Sequence, residues 1–186
     1  MNSKKSLSYL LIILGVLSRF LPHYPNVTPL YSVALFSGSK PQNKLLSVLF
    51  FFTTLLISDI ILNKFFYNMP SPMSYLVSPV FLCTLIGHVM IITVGTFLLR
   101  KTTVKNVFIS SGLSAFMFYI FSNFGCWIEG SIYSLDFNGL LKCYTAGLPF
   151  LKNTFLSIIA YNTVIFGVYY YFFEKEKVII PEQKTI

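Results

Sequence analysis

Charge is scarce in this chain. Of its 186 residues, 11% are charged, and aspartate and glutamate together number 6. Soluble domains carry about 25% charged residues. The chain is also 55% hydrophobic, with a mean hydropathy of +0.70. A water-soluble domain of this size is excluded, and a single integral membrane domain over 1–186 is expected. Cysteine is scarce too. Cys83, Cys126 and Cys143 form no C-x-x-C pair, which argues against a structural metal site. The two histidines, His23 and His88, form no H-x-x-x-H or H-E-x-x-H pattern, so zinc catalysis is not expected. A hydrolase elbow, a Ser-Lys dyad, a Walker loop and a dinucleotide fingerprint are all missing. The expectation is no enzyme, no catalytic residue, no metal and no cofactor. Any use of ATP has to come from a partner.

What the chain has is apolar runs and basic loops. The net charge is +8. No RNP motif, zinc finger or basic helix accompanies it, so nucleic acid is not the expected partner. The apolar runs predict helical spans over about 7–21, 27–39, 45–62, 76–99, 107–122 and 151–173. The sequence therefore predicts an all-α polytopic membrane bundle of six transmembrane helices. Nine apolar residues of the second run cover about 14 Å of a hydrocarbon core about 30 Å thick, so it either crosses as a short, partly unwound helix or is re-entrant, and the charge pattern favours crossing. Lys4 and Lys5 precede Leu7–Leu17 as in a signal peptide, but Arg19 stands where a cleavage site belongs, so an uncleaved first span is expected.

Charge sets the orientation. With six spans, Lys4, Lys5, Lys40, Lys44, Arg100, Lys101, Lys105, Lys175, Lys177 and Lys184 fall on one side. Arg19, Lys64, Lys142 and Lys152 fall on the other. The positive-inside rule then places both termini in the cytoplasm. The outer connections are 22–29, 63–75 and 123–150. The last, nearly thirty residues with Trp127, Tyr133, Phe137 and Tyr144, is expected to fold over the outer mouth.

The stretch Arg19–Gly38 concentrates the unusual features. It places Arg19, His23 and Asn26 among Pro22, Pro25 and Pro29 at the end of the first run. Irregular backbone and a cation at membrane depth are tolerated where they line a cavity or a protein contact. Asp59, the one acid inside a predicted span, pairs naturally with Arg19, either as a brace or as the wall of a site. Asn123 and Trp127 are one turn apart and offer an amide and a flat ring. Asn153, Ser157 and Tyr161 form a polar stripe at i, i+4 and i+8, a packing face or a site wall. His88 lies in the middle of its span and is expected to make an interhelical hydrogen bond. An intramembrane enzyme would have His23, Asp59, His88 and Glu129 to work with, and their expected depths differ. Cys126 and Cys143 share the outer connection, where either a disulfide or free thiols are open. Ala34-x-x-x-Gly38 is a small-x-x-x-small pattern and a candidate partner surface.

Taken in order, R-x-x-P-H-x-x-N-x-x-P (Arg19 to Pro29), A-L-F-S-G (Ala34 to Gly38), S-D (Ser58, Asp59), S-N-F-x-x-W (Ser122 to Trp127) and G-L-x-x-C-Y-x-x-x-x-P-F (Gly139 to Phe150) are familiar. This series resembles a family of small bacterial multi-pass membrane proteins of unknown function. More loosely, size and loop pattern are similar to the substrate-binding S components of energy-coupling-factor transporters. That resemblance implies a lipid-embedded subunit that takes up a small-molecule ligand, such as a vitamin or cofactor precursor. It also implies docking on a membrane transporter subunit with ATPases. Arg19, His23, Asn26, Asp59, Asn123, Trp127 and Asn153 would then surround the substrate. The first-helix docking pattern of S components is not present in this chain; the nearest such pair is Ala34 and Gly38. The alternative function is a structural or assembly partner without a ligand.

Overall fold

The computed structural model describes residues 3–21, 24–40, 43–68 and 71–173. His23, Pro22 and the basic residues Lys175, Lys177 and Lys184 lie outside the described residues. Those described form seven α-helices and no strand: α1 Ser3–Leu17, α2 Leu30–Ser39, α3 Lys44–Ile61, α4 Pro72–Tyr75, α5 Pro79–Leu98, α6 Val104–Ile128 and α7 Phe137–Phe173. A 3₁₀ turn, Ser18–Phe20, extends α1, and a π-helical turn, Leu62–Phe66, extends α3.

The helix starts follow local chemistry. Asn43 Oδ1 accepts from the Leu46 N–H at 3.0 Å, Ser78 Oγ from Phe81 at 3.2 Å, and Thr103 Oγ1 from Asn106 at 3.1 Å. Each satisfies a donor that the first helical turn leaves free. Pro72 and Pro79 occupy first-turn positions, where their missing N–H is harmless.

Four helices are long and apolar enough to cross a membrane: Lys44–Phe66 (α3 with its π turn), α5, α6 and α7. Leu10, Leu49, Ile57, Phe97, Val164 and Tyr171 point outward, as a lipid-facing surface requires. Two apolar helices, Ser6–Phe20 and α2, are shorter. The α2 helix is central. Every residue from Leu30 to Gly38 is buried, so its length need not match the bilayer.

That burial depends on glycine. A Cβ on Gly38 would run into the Ile92 carbonyl oxygen of α5, and one on Gly95 into the Leu35 carbonyl oxygen of α2. The Ala34–Gly38 pair is therefore an internal packing face against α5, not a partner surface.

The connection expected over 123–150 is much shorter. Its first residues finish α6, and 137–150 open α7, leaving the turn 129–136. Gly147 lets α7 approach the Asn123 side chain closely, and Pro149 sits inside the helix. At 37 residues α7 is about 55 Å long, well beyond the hydrocarbon core.

Candidate functional site

Arg19 stands in the 3₁₀ turn that ends α1, and it reaches α3. Its Nη1 donates to Ser58 Oγ at 2.6 Å and its Nη2 to Asp59 Oδ1 at 2.5 Å. Ser58 Oγ passes its own hydrogen to the Leu55 carbonyl at 2.8 Å. The side chains of Arg19 and Asp59 are 18% and 10% exposed, so the pair is largely withdrawn from solvent. The expected Arg19–Asp59 pairing is present, with Ser58 as its second acceptor.

The irregular segment after Arg19 is tied down on the other side. The Val27 N–H bonds the Tyr24 carbonyl at 2.9 Å, and Asn26 has φ of 60°. Proline second and a left-handed asparagine third is the pattern of a type II turn. Asn153 Nδ2 donates to the Pro25 carbonyl at 3.1 Å. Ser157 Oγ accepts from the Thr28 N–H at 3.0 Å and donates to the Thr28 carbonyl at 2.8 Å. The polar stripe of α7 thus holds the entrance to α2.

Between these two anchors lies a cavity of about 170 Å³. Its lining comes from six stretches of chain: Arg19; Asn26 and Thr28; Leu30 and Tyr31 of α2; Leu55, Asp59, Leu62 and Tyr67 of α3 and its π turn; Tyr75, Thr84 and His88 of α4 and α5; and Phe118 of α6. Asp59 and His88, expected at different depths, share this cavity. The π turn contributes by lengthening α3 past Asp59 and carrying Tyr67 back toward it.

His88 is 1% exposed. Its Nδ1 lies 2.9 Å from the Thr84 carbonyl oxygen. A carbonyl only accepts, so Nδ1 carries the hydrogen. The expected interhelical hydrogen bond is therefore an intrahelical one, to the preceding turn. Nε2 is buried with no hydrogen-bond partner among the described residues. The imidazole stacks on Tyr31 at 6.0 Å, with Phe118 edge-on at 5.3 Å and Phe51 tilted at 5.7 Å.

The structure brings Arg19, Asn26 and Asp59 together. It does not bring Asn123, Trp127 or Asn153 to the cavity lining. Asn123 Nδ2 donates to the Tyr119 carbonyl at 2.8 Å, and Trp127 Nε1 to the Ser134 carbonyl at 3.0 Å. Asn153 acts from outside by holding Pro25. Sequence reasoning missed Tyr31, Tyr67, Tyr75 and Thr84. Tyr31 and Thr84 lie in apolar runs and Tyr67 and Tyr75 in the connection 63–75, where neither residue type gives a signal of its own; His88 with Thr84 one turn earlier was the available hint. Cys83, Cys126 and Cys143 are free thiols, and Cys143 Sγ donates to the Asn123 carbonyl at 3.3 Å.

The fold and cavity define a helical membrane protein with a small polar chamber walled by an ion pair and an imidazole. The chain belongs to the DUF6580 family, a family of unknown function whose model matches residues 1–182. Neither the curated proteins nor the solved structures contain a match.

Proposed function

We propose that the chain is a membrane-embedded binding protein for a small solute, held in the cavity between Arg19, Asp59 and His88. The observation that carries this reading is the convergence of a buried ion pair, Arg19 with Asp59, and a buried imidazole, His88, on one cavity. Polar and ionisable groups at membrane depth usually mark a pathway or a binding site. At about 170 Å³ the chamber is smaller than the 300–1,000 Å³ of sites for drug-sized ligands. It accepts a solute of a few heavy atoms, and a vitamin-sized one requires the Tyr24–Pro29 segment to move.

In the form suggested by the S-component resemblance, the chain is one subunit of an uptake system in the bacterial inner membrane. It crosses six times with both termini in the cytoplasm, and an ATPase-bearing membrane subunit supplies the energy. The bias of Lys and Arg toward one side supports that orientation. No chemical step on the solute is part of this reading.

A second reading, a structural or assembly partner, is favoured by one fact: Arg19 and Asp59 satisfy each other, and Asn123, Trp127 and Asn153 all bond within the chain. Asp59→Asn separates the two. The binding reading expects folded protein from which no solute is extracted after denaturation, whereas wild type yields one. The bracing reading expects loss of folded protein. The double variant Arg19→Gln with Asp59→Asn removes both charges and decides the matter if the single variant does not fold.

A further inference from the structure

We propose that Cys126 of α6 and Cys143 of α7 are a dithiol pair, which a thiol–disulfide oxidant closes into a disulfide across the hairpin. The inference does not rest on the solute-binding reading.

Geometry comes first. Cys143 Sγ donates to the Asn123 carbonyl at 3.3 Å, so its sulfur lies against α6. Cys126 stands three residues after Asn123 in the same helix, on the same face. Helical side chains tilt toward the N-terminus of their helix. The Cys126 side chain therefore leans toward the Asn123 turn, where the Cys143 sulfur sits. The two thiols interact side chain to side chain. The register is held on both sides of them. Toward the membrane, the Tyr119 and Tyr144 hydroxyls each bond a carbonyl of the other helix, at 2.6 and 2.8 Å, and Gly147 admits the Asn123 side chain. Toward the turn, Trp127 Nε1 donates to the Ser134 carbonyl at 3.0 Å. Cys83 is placed differently. It lies on α5 against Gly125, so it meets another face of α6 and stays outside the pair.

Access comes second. Glu129, Asp136 and Lys142 flank this end of the hairpin. Such charges are costly in hydrocarbon, so the pair lies at the polar end of the two helices. In the proposed orientation that end faces away from the cytoplasm, on the side where disulfides persist. Cys126 is half-buried and Cys143 is 2% exposed, so Cys126 is the thiol that meets the oxidant. Its thiolate attacks the oxidant's disulfide, which gives a mixed disulfide and releases one thiolate. The Cys143 thiolate then attacks the Cys126 sulfur and releases the second. The pair gives up two electrons to the oxidant, which leaves as two thiols, and two protons to solvent.

The test uses the full chain in lipid nanodiscs, reduced, freed of reductant and incubated with oxidised glutathione. Remaining thiols are capped with N-ethylmaleimide in denaturant, and the digest is read by mass spectrometry. Wild type has three cysteines. It should lose two thiols to a Cys126–Cys143 cross-link that dithiothreitol reverses, and Cys83 should carry the cap. Cys143→Ser should hold glutathione on Cys126, and Cys126→Ser should leave Cys143 as a thiol. Three capped thiols in wild type, glutathione retained on Cys126 without closure, or a cross-link to Cys83 would each overturn the proposal. The wild-type arm decides the matter even where a serine variant does not fold.

Discussion

Two regions of the molecule carry the same residue types and use them differently. In the α6–α7 hairpin, polar side chains tie one helix to the other. Tyr119 Oη donates to the Tyr144 carbonyl at 2.6 Å, Tyr144 Oη to the Ile120 carbonyl at 2.8 Å, and Asn162 Nδ2 to Ser111 Oγ at 3.0 Å. The turn is closed likewise. Gly130, with φ of 69°, ends α6, and Asp136 Oδ1 accepts from the Gly139 N–H at 2.6 Å to start α7. Around the cavity, by contrast, polar groups from separate helices converge on one space. The hairpin shows polar residues as glue between helices. The cavity shows them held apart around a space.

The largest expected effect that sharpens this contrast is at the ion pair. Arg19→Leu leaves the Asp59 carboxylate buried without its counter-charge and should cost about 3–5 kcal/mol. Adding Asp59→Leu should recover most of that loss. Detergent-denaturation midpoints of the two single variants and the double variant measure it, and strictly additive losses would contradict a coupled pair.

Next is the α2–α5 contact. Gly38→Ala places a methyl against the Ile92 carbonyl and should cost about 1–3 kcal/mol. Gly167→Ala, with open space around its position, should change the thermal midpoint little. Equal effects at the two glycines would contradict the close helix approach.

Smaller still, Tyr119→Phe should cost about 1 kcal/mol by removing one hydrogen bond in the hairpin, without altering what the cavity holds. Comparison of solute content and melting temperature in the same preparation checks both parts.

The smallest effect is pH-dependent and lies at the exposed turn. The Gly139 N–H, followed by Ser134 Oγ, holds the Asp136 carboxyl below the usual carboxylate range. A group depressed in the folded state stabilises above its unfolded pKa, about 3.9. That contribution fades as pH falls through the lower folded value. The protection of the Gly139 amide, its exchange compared with an unstructured amide at the same pH, should therefore fall on acidification below about pH 4. Asp136→Asn should flatten the dependence, and an unchanged pH profile would contradict the cap.

What could be read from the sequence follows from how far each signal reaches. The apolar runs foretold α3, α5 and the body of α7, because span length is a local property. A lone acid inside a span demands a partner, so Arg19 with Asp59 was legible. The ends of α6 and α7 were not. Asn123, Gly147 and Pro149 look like breakers until α7 is seen packed against α6, where Gly147 is needed for close approach. The tyrosines of the cavity were hidden for a similar reason. Tyr31 reads as one more aromatic in an apolar helix, and its role depends on the ring from α5 stacked against it. Asn123 and Trp127 misled because a one-turn spacing describes a face, not what the face meets.

One measurement tests the central claim most directly: native mass spectrometry of the full chain released from nanodiscs, comparing wild type, His88→Phe and Tyr119→Phe. Solute binding at the cavity predicts a small bound mass on wild type and Tyr119→Phe that is lost from folded His88→Phe. A wild-type protein with no bound mass, or one whose bound mass survives His88→Phe and disappears with Tyr119→Phe, would contradict it.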